Sequence, residues 1–187
     1  NYSVGKKRYE KKPDSEDLTL IQKIEELDIP YWVPNNQISQ GDKTSDPLSV
    51  GITHVHHFYT KRSLFILSAL YFKIYKRKNL LGAFISTLQG LSKMQRYSPG
   101  STFPNMILSG TLYVGSLTRE WNVWNWFTGK VRGLSHSFNN RKPIKKDYTI
   151  LQTCSITTNL AKKENYTDFI FIDPPFGGNV MYSELNF

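Results

Sequence analysis

The stretch Asn165–Phe187, NYTDFIFIDPPFGGNVMYSELNF, decides the predicted fold. Its four residues Phe169–Ile172 are apolar and β-prone without polar alternation, which is typical of a strand buried on both faces of a parallel sheet. The two prolines that follow cannot donate to a strand ladder, so this strand is predicted to end at Asp173. Ligands of open α/β sheets bind at the carboxyl ends of strands. We therefore expect an acid, a rigid turn and an aromatic side chain at a ligand-binding edge.

Asp173-Pro174-Pro175-Phe176 resembles motif IV, the D/N-P-P-Y/F signature of amino-group DNA methyltransferases. The glycines and the tail Met181–Asn186 extend the resemblance to the adenine-specific DNA methylases of bacterial modification systems. His57–Leu64 is similar, more weakly, to a helix start that this group has between motifs I and IV, although Lys61 and Ser63 depart from its usual Pro and Gln. The resemblance implies an α/β fold, a partial Rossmann-like S-adenosylmethionine-dependent methyltransferase sheet with flanking helices.

The same resemblance assigns roles to the residues of the turn. The Asp173 carboxylate and the Pro174 carbonyl would accept hydrogen bonds from the exocyclic amino group of adenine or cytosine, which makes that nitrogen more nucleophilic. Pro175 would hold the turn rigid, and Phe176 would stack on a base extruded from the duplex. Asn179 would line the base pocket or support it.

The cofactor that the resemblance implies is S-adenosyl-L-methionine. Gly177 would let it approach the backbone closely, and Ser155 stands where the family often has an acid near the cofactor adenine. No Phe-x-Gly-x-Gly loop, the family's motif I, occurs in the chain. The sequence begins at Asn1 and ends shortly after the motif, so we expect a piece of a longer protein that does not methylate DNA by itself.

Basic residues dominate one long span of the chain. The net charge is +9, yet between Pro47 and Lys146 the one acidic residue is Glu120. The same span holds fifteen basic residues: Lys61, Arg62, Lys73, Lys76, Arg77, Lys78, Lys93, Arg96, Arg119, Lys130, Arg132, Arg141, Lys142, Lys145 and Lys146. Such a distribution attracts polyanions. We expect double-stranded DNA as the partner, with phosphate contacts at Arg141, Lys142, Lys145 and Lys146.

Composition narrows the class of protein. The 187 residues, 39% hydrophobic and 21% charged, suit a globular chain with a real core. Cys154 is the single cysteine, which excludes a disulfide framework and fits a cytoplasmic location. The apolar run Leu64–Leu70 is too short to cross a bilayer, so no membrane partner is expected. A restriction-modification partner is implied by the family alone.

Two regions are predicted along the chain. Residues 1–50 form an N-terminal arm, a helix and an aromatic turn, and residues 51–187 form a partial methyltransferase domain that ends just after motif IV. Apolar spacing and caps predict helices, and apolar runs predict strands. The predicted helices are Glu16–Leu27 (capped by Ser15), Lys61–Arg77 (capped by Thr60), Leu80–Gln95 and Asn122–Arg132, and the predicted strands or hairpins are Met106–Leu117, Tyr148–Ile156 and the run before Asp173.

Some features leave alternatives open. His54, His56 and His57 lack a nearby carboxylate or cysteine in sequence, which favours packing or phosphate contacts over a metal site. Trp121, Trp124, Trp126 and Phe127 cannot all face one core, so they either fix their helix in place or leave one ring free for a nucleobase. A non-catalytic basic nucleic-acid-binding module, or an RNA or protein methyltransferase, would also suit the residues.

Overall fold

Five α-helices form the framework of the described residues. The computed structural model describes residues 2–5, 7–97 and 107–140. The helices of these ranges are α1 Ser15–Glu26, α2 Ser45–Ser49, α3 Lys61–Ile74, α4 Lys78–Leu88 and α5 Val123–Asn139, with short 3-10 turns at Val55–Phe58 and Gln89–Leu91. The strands of these ranges, β1 Tyr2–Val4 and β2 Lys7–Tyr9, form an antiparallel hairpin. Gly5, in the turn between them, has a φ of 60°, which glycine adopts without a steric penalty.

The predicted α/β fold, a partial Rossmann-like sheet with flanking helices, is wrong. The core of the described residues is built from packed helices, and the hairpin is the one sheet in that part of the chain. The reason lies in the apolar spacing, because residues such as Leu67, Ile74 and Phe84 bury one stripe of each helix rather than a strand face. The predicted strands Tyr148–Ile156 and Phe169–Ile172 lie outside the described residues.

Side-chain caps fix where three of the helices begin. Asp14 caps α1 in place of the predicted Ser15: its carboxylate accepts from the Asp17 backbone N–H at 3.0 Å, and Asp17 reciprocates. Thr60 caps α3 as predicted, because its hydroxyl oxygen accepts from the Ser63 backbone N–H at 3.2 Å. Asn122 does the same for α5. Helix α4 begins two residues before the predicted start, and α5 continues past the predicted end at Arg132.

The main core lies between α3, α4 and α5. Its buried members come from all three helices and from the 3-10 turn after α4: Leu67, Ile74, Ala83, Phe84, Leu91, Val123 and Phe127. Helix α1 has no buried residue and lies against α3. Tyr31 of the predicted aromatic turn packs on α3, with its ring 5.4 Å from that of Phe72 and 6.3 Å from that of Phe65.

A second, smaller cluster ties the loops to this core. Ile38, Ile52, Phe58 and Leu112 are buried together, and the Ile38 N–H donates to the Thr53 carbonyl at 2.9 Å. The strand or hairpin predicted for Met106–Leu117 is wrong over the described residues 107–117, which form no strand.

One isolated β-bridge connects the chain that follows the 3-10 turn Gln89–Leu91 to the chain that precedes α5. Arg96 pairs with Thr118, the Tyr97 N–H donates to the Leu117 carbonyl at 2.9 Å, and the Arg119 N–H donates to the Gln95 carbonyl at 2.8 Å. This pairing brings Arg119 beside Tyr97 and delivers the next residue to the start of α3. In the ranges described, none of the helices has the length and apolar character needed to traverse a lipid bilayer.

Candidate nucleic-acid interface

The residues predicted for catalysis and binding lie outside the residues that the structure describes. They are Asp173, Pro174, Pro175 and Phe176 for catalysis, Gly177 and Ser155 for the cofactor, and Asn179, Arg141, Lys142, Lys145 and Lys146 for nucleic acid. Those assignments stay predictions. The described part of the basic span lies before all of these residues in the sequence.

Eleven of the fifteen basic residues of this span are described, and most are solvent-exposed. The exposed ones occur at three places: Arg62 and Lys73 on α3, Lys76, Arg77 and Lys78 at the junction of α3 and α4, and Lys130 and Arg132 on α5. Their spread over neighbouring helices makes the positive charge a property of a surface rather than of one loop.

The single acid of the span, Glu120, is held by the start of α3. Its Oε1 accepts from Thr60 Oγ1 at 2.6 Å, from Ser63 Oγ at 3.1 Å and from Arg62 Nε at 3.1 Å, while Oε2 pairs with Arg62 Nη2. Partial burial opposes ionisation of this carboxyl, but the hydrogen bonds from Arg62 and Thr60 outweigh that effect and hold its pKa below the ordinary value. Glu120 is therefore ionised and matched by one cation, so it offsets none of the remaining positive charge.

Cations and aromatic rings alternate beside this pair. The Arg119 guanidinium carbon lies 5.0 Å from the ring centre of Trp121 and 5.8 Å from that of Tyr97. The Trp121 ring lies 5.2 Å from that of Trp126, and Lys130 Nζ lies 5.9 Å from the Trp126 ring centre. Contacts of this kind are electrostatically attractive, and they hold the cations in fixed positions at the surface.

The four aromatic residues of this stretch divide between core and surface. Phe127 is buried, and Trp126 is half-buried against Gly90. Trp121 is 38% exposed and Trp124 is 60% exposed. Two rings therefore fix α5 to the core and two remain partly open to solvent, and contact of an open ring with a nucleobase stays a prediction.

A large apolar cavity lies between α3, α4 and the loop that contains Trp32. Its volume is about 910 Å³, and its polar side chains include Asn36, Ser68 and Gln89. S-adenosyl-L-methionine carries a carboxylate, an ammonium and ribose hydroxyls, which need charged or acidic partners when they leave water. No charged side chain lines this cavity among the described residues, so it does not fit the implied cofactor.

The three histidines form a compact group, with ring centres 4.4 to 5.6 Å apart. Two of their Nδ1 atoms form hydrogen bonds. That of His54 lies 2.9 Å from the Thr53 hydroxyl oxygen, and that of His56 lies 2.9 Å from the Pro34 carbonyl oxygen. Burial, followed by the neighbouring histidines, lowers the pKa of His57. No group of three or more His, Cys, Asp or Glu side chains that could hold a metal ion occurs among the described residues.

No protein-family profile, curated protein or solved structure matches the chain. The sequence did not predict the ion pair between Arg62 and Glu120. These two residues lie 58 positions apart in the sequence. One signal could have pointed to it: a lone acid in a long basic span needs a cation partner when it is partly buried.

Proposed function

We propose that this chain is part of an S-adenosyl-L-methionine-dependent DNA methyltransferase that modifies the exocyclic amino group of adenine N6 or cytosine N4. The observation that carries the proposal is the sequence Asp173-Pro174-Pro175-Phe176 directly after an apolar run. Hydrogen-bond acceptors held rigidly beside an amino group stabilise the charge that develops on its nitrogen. Asp173 and Pro174 would supply those acceptors, and Phe176 would stack on the target base.

The electrostatics of the described residues support a DNA partner. The basic span has Glu120 as its one acid, and that acid is paired with Arg62. The exposed cations of this span therefore outnumber its acid, and such an excess of positive charge raises the local concentration of a polyanion. The large cavity of the described residues has no charged lining residue, so the proposal assigns the chemistry to the stretch around Asp173.

A methyl-transfer assay tests this function. The complete gene product that contains this sequence is incubated with tritiated S-adenosylmethionine and mixed-sequence duplex DNA, as wild type, Asp173→Ala and Asp173→Asn. We expect the alanine variant to lose transfer by on the order of 100-fold, because it removes an acceptor aimed at the developing charge. The asparagine variant keeps an acceptor oxygen and should retain more activity. Nucleoside analysis of the product separates adenine from cytosine.

The second candidate is a basic nucleic-acid-binding module without catalysis. The observation that favours it is that α3, α4 and α5 carry exposed cations, while the residues Asp173–Phe176 lie outside the described part of the chain. Wild-type protein that binds DNA but transfers no label to a library containing every short site would establish this candidate. Equal transfer by wild type and Asp173→Ala would overturn the role of Asp173.

A further inference from the structure

The outward face of α5 carries hydrogen-bond donors and no acid. The residues opposite the buried stripe of the helix include Asn125, Arg132, His136 and Asn139, and all four are exposed. The whole helix Val123–Asn139 contains no Asp or Glu. An exposed helix of this length ordinarily mixes charges of both signs, so a helix whose charged residues, Lys130 and Arg132, are both basic suits a partner that presents anionic oxygens.

The positive charge of this face is not neutralised within the part of the chain that the structure describes. Arg132 takes part in no ion pair with another described residue. The acid nearest in sequence, Glu120, is already engaged by Arg62. Helix α5 also leads directly into Arg141 and Lys142, so the same run of chain continues with cations.

Two glycines leave the surface of this face open. Gly129 and Gly133 are exposed, and a methyl group added at either position would meet no atom within 4 Å among the described residues. Glycine destabilises an exposed helix relative to alanine, and no described neighbour makes use of the space. The glycines allow a partner to come closer to the helix backbone than any other side chain would.

We propose that the outward face of α5 binds the sugar–phosphate backbone of duplex DNA, which passes over Gly129 and Gly133 while Arg132 contacts a phosphate. Acceptor oxygens along the DNA backbone complement the donors of this face. The inference rests on the DNA-binding part of the proposed function and locates it on one helix. It does not depend on the methyl-transfer chemistry.

The decisive variant is Gly129→Ala in the full 187-residue chain, because stability and binding should move in opposite directions. The melting temperature should rise, since alanine favours the helix and meets no neighbour. Affinity for a fluorescent mixed-sequence duplex should fall on the order of 10-fold, because the methyl group holds the DNA away from its contacts. A merely structural glycine would not produce this pair of results.

Two further variants complete the test. Gly82→Ala, at an exposed position of α4 that is equally open, should raise stability and leave DNA affinity unchanged. Arg132→Gln should reduce the slope of log affinity against log salt by about 0.9, whereas Lys23→Gln on the exposed acidic helix α1 should not. If wild type binds DNA and neither Gly129→Ala nor Arg132→Gln weakens it, the inference is overturned while the methyltransferase proposal stands. Absence of DNA binding by wild type would overturn both the inference and the DNA partner.

Discussion

At the scale of single residues, Glu120 is the acid of the basic span, and its charge is matched within the protein. A carboxylate in a basic region would normally reduce the positive potential around it, but here Thr60, Ser63 and Arg62 all point at its oxygens. The same three residues form the first turn of α3, where the N-terminal end of the helix favours a negative charge. Glu120 thus acts as a structural anion that joins the chain before α5 to the start of α3.

Glu120→Gln should lower stability in a pH-dependent way. The pKa of the Glu120 carboxyl is depressed in the folded chain, so its stabilisation is fully present above the ordinary glutamate pKa and is lost as the pH falls through the folded value. Because the site is only half-buried, we expect a cost of about 1 kcal/mol near neutral pH. Urea unfolding of both proteins should show that the difference narrows at acid pH.

The control for this experiment is Glu10→Gln, which lies in an exposed part of the chain outside the Glu120 cluster. It should change stability little at either pH. A Glu120→Gln difference of the same size at neutral and acid pH would contradict the ionic role of this carboxylate.

At the scale of elements, local signals predicted the helices well. The sequence places α1, α3 and α5 near their observed positions because caps and apolar spacing act within a few residues. The predicted helix Leu80–Gln95 is α4 and the following 3-10 turn, which end by Leu91. The strand at Met106–Leu117 failed because a strand needs a partner distant in sequence, and Gly110, at a φ of 69°, bends the chain instead.

The sequence did not predict the packing between α5 and the end of α4, because it joins residues that are distant in sequence. Trp126 covers Gly90, and a Cβ atom at Gly90 would lie only 2.7 Å from Trp126 Cζ2. The indole Nε1 of Trp126 is buried without a partner among the described residues, so the ring position is set by this contact rather than by a hydrogen bond. Nothing in the local sequence around Gly90 indicates a tryptophan that far along the chain.

Gly90→Ala should therefore destabilise the protein. The added methyl group would displace the Trp126 ring and disturb the α4–α5 contact, at a cost of about 1–3 kcal/mol. Gly82→Ala, which adds the same group where no atom lies within 4 Å, should instead stabilise by up to about 1 kcal/mol. Thermal melts of the two variants measure the contrast, and equal behaviour would show that Trp126 does not confine Gly90.

At the scale of the whole molecule, the α/β fold predicted from one apolar stretch is wrong, whereas the DNA partner predicted from charge stays a prediction. The run before Asp173 lies outside the described residues, and the helical core overturns the fold inferred from it. Charge asymmetry depends on composition alone, so it could be read without knowing which residues are neighbours. The relation between Arg62 and Glu120 could not, because folding brings them together over 58 positions.

The remaining prediction concerns the basic residues that follow α5 in the sequence and compares two pairs of adjacent cations. Arg141→Gln with Lys142→Gln should weaken binding of all duplex sequences alike and reduce the slope of log affinity against log salt by about two, since each phosphate contact releases close to one counterion. The matched control is Lys11→Gln with Lys12→Gln. Lys11 lies 2.6 Å from Asp14 and 2.9 Å from Asp17, so its charge is already balanced within the protein. Titrations of a labelled duplex at several salt concentrations provide both slopes. If the two double variants changed the slope equally, the positive charge would act through its total alone, and the basic span would have no privileged contact with DNA.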